Sequence, residues 1–134
     1  MKLLQIKTLK HGWQDRSEMI LHAAFQCLVD FVEKELNLPA RHLRPCTKTY
    51  AHEYYTVERL YNWWTKERPA RVDPLSEVEC PDDDDEDVSF FWDTTRQQEW
   101  KRACDLHYRY ELICDAEDDR MLRELLEIRK WLWT

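Results

Sequence analysis

Apolar residues recur along much of this chain at intervals of three and four, the spacing that places side chains on one face of a helix. Ile20, Ala24, Cys27, Leu28, Phe31 and Val32 form the first such run. Ser17 stands ahead of it as a candidate N-cap, and Asn37 with Pro39 closes it, so the pattern predicts a helix over 18–36. Tyr54, Val57, Leu60, Tyr61 and Trp64 mark a second face from 51 to about 67, which Pro69 ends because the residue before a proline avoids helical angles. Trp100, Ala103, Cys104, His107, Tyr110 and Cys114 follow Thr94 or Thr95 as a third run, and Met121, Leu122, Leu125, Leu126, Ile128, Leu132 and Trp133 as a fourth. Asp115-Ala116-Glu117-Asp118 predicts a tight junction between the last two, with one continuous helix as the alternative. Leu4, Ile6 and Thr8 alternate in part, which suits a short N-terminal strand or an extended arm.

The expectation is a mostly α protein, a single domain over 1–134 with about four helices around one core. Residues 75–89 are expected to form an acidic, mobile loop within it. Composition supports a packed chain. Seven Trp, six Tyr and four Phe bring large apolar areas, at 43% hydrophobic residues overall. Gly12 is the sole glycine. That scarcity excludes Gly-rich phosphate-binding loops and weighs against an all-β fold built on tight hairpins.

Charge then divides the chain. The net charge is −7, with residues 1–72 at +4 and residues 73–134 at −11. Nucleic-acid affinity comes largely from counterion release by Lys and Arg, so an acidic chain disfavours nucleic-acid binding. No apolar run reaches the length of a membrane span. An odd five cysteines without a CxxC pair, and no export signal, point to reduced thiols in a cytosolic setting.

Candidate chemistry is sparse. Cys46 with His52, and Cys104, His107 and Cys114, are the nearest approaches to metal-ligand spacing, but the paired spacing of structural zinc sites is lacking. Cysteines acting as small core hydrophobes are the preferred reading. His52-Glu53 lacks the second histidine of a zinc protease, since position 56 is Thr56. No nucleophile with a base in a family-specific context stands out. The expectation is therefore no catalytic residues, no metal and no cofactor.

Two stretches invite a binding role. Asp82, Asp83, Asp84, Asp85, Glu86 and Asp87 form a block of like charge, with Glu77 and Glu79 ahead of it. It reads as a solvated loop, as a contact surface for a basic protein, or as a weak calcium or magnesium site. Trp63 and Trp64, followed by Lys66, Arg68 and Arg71, are the second stretch. Helical neighbours diverge by about 100°, so one indole is expected in the core. The other would pack under the 69–94 loop, stack on a nucleobase, or anchor a protein partner. Trp131 and Trp133 close the core or mediate self-association as a homodimer.

The stretches Tyr61-Asn62-Trp63-Trp64-Thr65-Lys66-Glu67-Arg68-Pro69-Ala70-Arg71-Val72-Asp73-Pro74 and Leu125-Leu126-Glu127-Ile128-Arg129-Lys130-Trp131-Leu132-Trp133-Thr134 resemble small uncharacterised proteins of tailed bacteriophages. The likeness spans the second helix, the acidic stretch and the C-terminal helix. It implies a phage or prophage protein in the bacterial cytoplasm or the virion, and it transfers no catalytic residue. The leading expectation is a non-enzymatic adaptor or inhibitor of a host or phage protein. A virion or assembly component is the alternative, and a small enzyme or metal-dependent protein the third.

Overall fold

Asp15 opens the first helix, α1 (Arg16–Asp30), by accepting the backbone N–H of Ser17 at 3.0 Å on Oδ1. The helix thus starts ahead of the Ser17 cap expected from the sequence: an aspartate at the N-cap also places a negative charge at the positive end of the helix. In this computed structural model the described residues are 3–36, 51–78 and 94–133. α1 runs on into a π-turn, Phe31–Glu35, closed by the Leu36 N–H on the Phe31 carbonyl at 3.1 Å. The second helix, α2 (Ala51–Asn62), repeats this ending through a π-turn at Trp63–Glu67 and a 3-10 turn at Arg68–Ala70. A short 3-10 turn covers Pro74–Glu77, and the third helix, α3, runs unbroken over Thr94–Ile128 before a last 3-10 turn at Trp131–Trp133.

Among the described residues, three α-helices stand where about four were expected. The predicted junction at 115–118 lies inside α3, whose sequence contains neither Gly nor Pro. Ala116 and Glu117 favour a helix, Asp is only mildly unfavourable within one, and nothing there forces a break. The N-terminal residues form no strand among the described residues. They run as an arm tied to α1, with the Lys7 N–H donating to Gln26 Oε1 at 3.1 Å and Thr8 Oγ1 lying 2.6 Å from His22 Nδ1.

The chain divides into two compact units, one made of Met1–Ala70 and Asp118–Thr134, the other of Arg71–Glu117. In the first unit, Leu21, Phe25, Leu28 and Val32 of α1 and its π-turn meet Val57, Leu60, Trp63 and Trp64 from α2 and its π-turn, with Met121, Leu125 and Ile128 from the end of α3. Each fully buried aliphatic or aromatic side chain contributes about 1.5–3 kcal/mol through burial. Trp131 closes one end of this core, edge-on to Tyr54 at 4.8 Å and to Phe31 at 5.4 Å.

Both Trp63 and Trp64 are buried, which corrects the expectation that only one would enter the core. The physical reason is the π-turn: i→i+5 closure adds a residue to the turn and brings neighbouring side chains closer in direction. Phe25 serves both indoles, stacked on Trp64 at 4.6 Å and tilted against Trp63 at 5.2 Å. Among the described residues no helix is long and apolar enough to cross a membrane.

Candidate functional site

The outer side of Trp64 is covered by polar groups rather than by solvent. Arg68 lies over the indole at 5.0 Å, and His22 meets it edge-on at 4.9 Å. Arg68 also grips Asp118 with two donors: Nη2 reaches Oδ2 at 2.9 Å, and Nε reaches Oδ1 at 3.2 Å and Oδ2 at 3.3 Å. Its Nη2 lies 3.3 Å from Glu18 Oε2, the same oxygen that His22 Nε2 approaches at 3.3 Å. One guanidinium thus ties α1, the end of α2 and α3 together. Bidentate arginine–carboxylate pairs are among the stronger and more directional polar contacts.

Burial lowers the pKa of His22, and the nearby Arg68 charge adds to this against the opposing pull of Glu18. Neutral His22 donates from Nε2 to Glu18 and accepts the Thr8 hydroxyl on Nδ1, the tautomer that suits both partners. Thr8, His22 and Glu18 form a hydroxyl–imidazole–carboxylate series, the order used elsewhere to activate a nucleophile. Here the imidazole is wedged against Trp64 and the carboxylate is shared with Arg68. The visible role of the series is to fasten the arm to α1, alongside Gln26, whose Nε2 donates to Asp30 at 2.9 Å.

The second unit has its own polar cluster. Asp73 caps the Pro74–Glu77 turn, its Oδ1 accepting the Leu75 N–H at 2.8 Å, and the same oxygen lies 2.7 Å from His107 Nδ1. The other ring nitrogen of His107 is 3.2 Å from Glu111 Oε1, one turn further along α3. Arg71 pairs with Glu117. The hydrogen bond to Asp73 raises the pKa of His107, and the Leu75 amide, with His107, lowers that of Asp73. Partial burial and the bond to Cys114 raise Tyr110.

Among the described residues, Cys27, Cys104 and Cys114 show no ligand geometry. Cys27 is half-buried on α1 rather than in the core, and burial, with the nearby Asp30 charge, pushes its thiol up. Cys104 and Cys114 are half-buried on α3, and no group of three or more His, Cys, Asp or Glu is arranged to hold a metal among the described residues. Cys46 and Cys80 lie outside the described residues.

α3 also carries a line of exposed residues in the second unit. Asp105, Tyr108, Leu112 and Asp115 follow at spacings of three and four, which aligns them along one side of the helix. Tyr108 is 63% exposed and Leu112 52%. Leu106 and Ile113 are exposed beside Arg102 and Arg109 on an adjoining line. Of the run Trp100, Ala103, Cys104, His107, Tyr110 and Cys114 expected to face inward, Ala103 is buried and the others are half-buried. The same period that sets the inward face sets this outward line.

Of the residues singled out beforehand, Trp63 and Trp64 sit in the core and offer no surface to a partner. Trp131 packs within its own unit. Asp82, Asp83, Asp84, Asp85, Glu86 and Asp87 lie outside the described residues. The Arg68 and His107 clusters were missed. Glu18–His22 and His107–Glu111 sit at i,i+4 in the sequence, which was the available signal. No family model, no curated protein and no solved structure matches this chain.

Proposed function

We propose that this chain is a non-enzymatic interaction protein that holds a basic protein partner, acting as an adaptor or inhibitor in a phage-infected or lysogenic bacterium. The observation that carries the reading is the exposed line Asp105, Tyr108, Leu112 and Asp115, an apolar pair bracketed by aspartates on a long helix. Such a strip offers apolar area for affinity and negative charge for steering and discrimination. The run Asp82–Asp87, in a half of the sequence that carries −11, is a second acidic stretch of the same sign. The partner expected from this chemistry is a protein with an apolar patch rimmed by Lys or Arg. The resemblance to small phage proteins is the basis for the host and for a cytoplasmic or virion setting.

The test is affinity capture from bacterial lysate with and without nuclease, comparing the wild type with a variant carrying D82N, D83N, D84N and D85N. A protein recovered stoichiometrically, indifferent to nuclease and lost at high salt, with weaker and flatter salt dependence in the variant, supports the reading. Equal recovery by both chains at every salt concentration refutes the role of the run. An assembly component contacting its own copies is the second reading. The exposed Leu106 and Ile113 beside Arg102 and Arg109, next to the acidic line, favour it, and concentration-dependent assembly of the pure protein would distinguish it.

A further inference from the structure

His107 is the one described imidazole with a carboxylate oxygen within hydrogen-bond reach of each ring nitrogen, Asp73 at 2.7 Å and Glu111 at 3.2 Å. A neutral imidazole has a single N–H, so it can satisfy only one of these acceptors; the imidazolium satisfies both. The two carboxylates have different standing. Glu111 belongs to the same helix as His107. Asp73 belongs to the segment between α2 and the Pro74–Glu77 turn, and its contact with His107 joins that segment to α3.

The segment has a second attachment to α3, the Arg71–Glu117 pair. An arginine does not lose its proton in water near neutrality, so this attachment keeps its charge across the range in which histidine titrates. The segment is therefore held at one point that is indifferent to mild pH change and at another that is sensitive to it. The charged and titratable groups of the cluster are Asp73 and Arg71 from the segment, and Glu111, Tyr110, Cys114 and Glu117 from α3.

We propose that the segment Arg71–Val78 is a pH-sensitive strap, drawn onto α3 by imidazolium His107 through Asp73 and loosened, about its Arg71–Glu117 anchor, when His107 loses its proton to solvent. Docking and protonation are linked: whatever docking adds to proton affinity, the proton adds to docking. The direction agrees with the raised pKa of His107. The strap is firm below the ordinary imidazole pKa of 6.5 and slackens as the pH rises through the higher value of the docked state. Neutral His107 can retain one N–H on Asp73, so the result is a weaker hold and faster opening rather than unfolding. The Leu75 amide reports the state directly, because it donates to the same Asp73 oxygen that His107 contacts.

The experiment is an NMR titration from about pH 5 to about pH 9, which spans the imidazole range. It follows the His107 ring nitrogens and the Leu75 and Val78 amides in the intact chain. The His107 signals are assigned by their loss in H107N. The expected result is a His107 midpoint above 6.5 that moves back toward 6.5 in D73N. The Leu75 amide should shift with the same midpoint, and its hydrogen exchange should quicken beyond the intrinsic pH effect. H107N, folded by circular dichroism, should lose that Leu75 response. A midpoint at or below 6.5, a midpoint unmoved in D73N, or a Leu75 amide blind to the titration would each overturn the proposal.

Discussion

Replacing Arg68 with methionine removes the charge that joins three helices while leaving an unbranched stem to lie over Trp64. The side chains of Arg68 and Asp118 are only 20% and 12% exposed, so little water is at hand to solvate the carboxylate left behind. Removing one partner of a fully buried pair costs about 3–5 kcal/mol. Discounting for the residual exposure, and for the more open Glu18, brings the expected loss to about 2–3 kcal/mol. The cation–π contact accounts for about 0.5–1 kcal/mol of this. Against a total stability on the order of 5–15 kcal/mol, such a loss is readily measured. The assay is urea unfolding near neutral pH, followed by tryptophan fluorescence and circular dichroism. The cycle is completed by D118L and by the double variant R68M/D118L. Most of the single-variant loss should be regained in the double variant, because the carboxylate that Arg68 held is gone and an apolar pair takes its place. A loss below about 0.5 kcal/mol for R68M would place the pair with ordinary surface ion pairs. Strictly additive effects would show that the two residues do not act on each other. Either result refutes the reading of Arg68 as the hub of the first unit.

Trp63→Ala should destabilise by about 3–5 kcal/mol, as expected for a large aromatic removed from a packed core. Trp13→Ala, at a residue 90% exposed, should stay within about 0.5 kcal/mol; the same unfolding curves compare them. His22 supplies a pH prediction with a definite sign. Its folded pKa lies below 6.5, so the native state binds fewer protons than the unfolded chain as solution turns acid. The stability it contributes is full above pH 6.5 and is lost as the pH falls through the folded value. H22Q should therefore flatten the decline of the urea midpoint on the acid side relative to wild type; parallel curves would remove His22 from the account.

The inward face of α2 was legible in the apolar spacing, since Val57, Leu60 and Trp64 are all buried, but that of α1 only in part: Leu28 and Val32 fall in the core, whereas Ile20 is 62% exposed and Leu21 and Phe25 take the inward positions instead. The sequence pattern misplaced the second indole because an ideal 100° step cannot anticipate the π-turn at Trp63–Glu67, where the helix widens as it ends. The break expected at 115–118 rested on clustered acidic residues. In the folded chain two of them are paired, Glu117 with Arg71 and Asp118 with Arg68, so the helix continues. Those pairs join residues 46 and 50 positions apart, and no local pattern announces them. The cluster at His107 was half legible, since Glu111 lies one turn away, but Asp73 reaches it only through the path of the chain.

The proposed contact surface for a basic protein is the exposed acidic–apolar line of α3. It is tested most directly by capture from bacterial lysate with wild type beside the double variant Y108S/L112K, both shown to be folded by circular dichroism. If the line is that surface, wild type captures a nuclease-resistant, salt-sensitive protein partner that the variant fails to retain. Equal recovery of that partner by the variant, or no stoichiometric partner with either chain, would contradict that assignment.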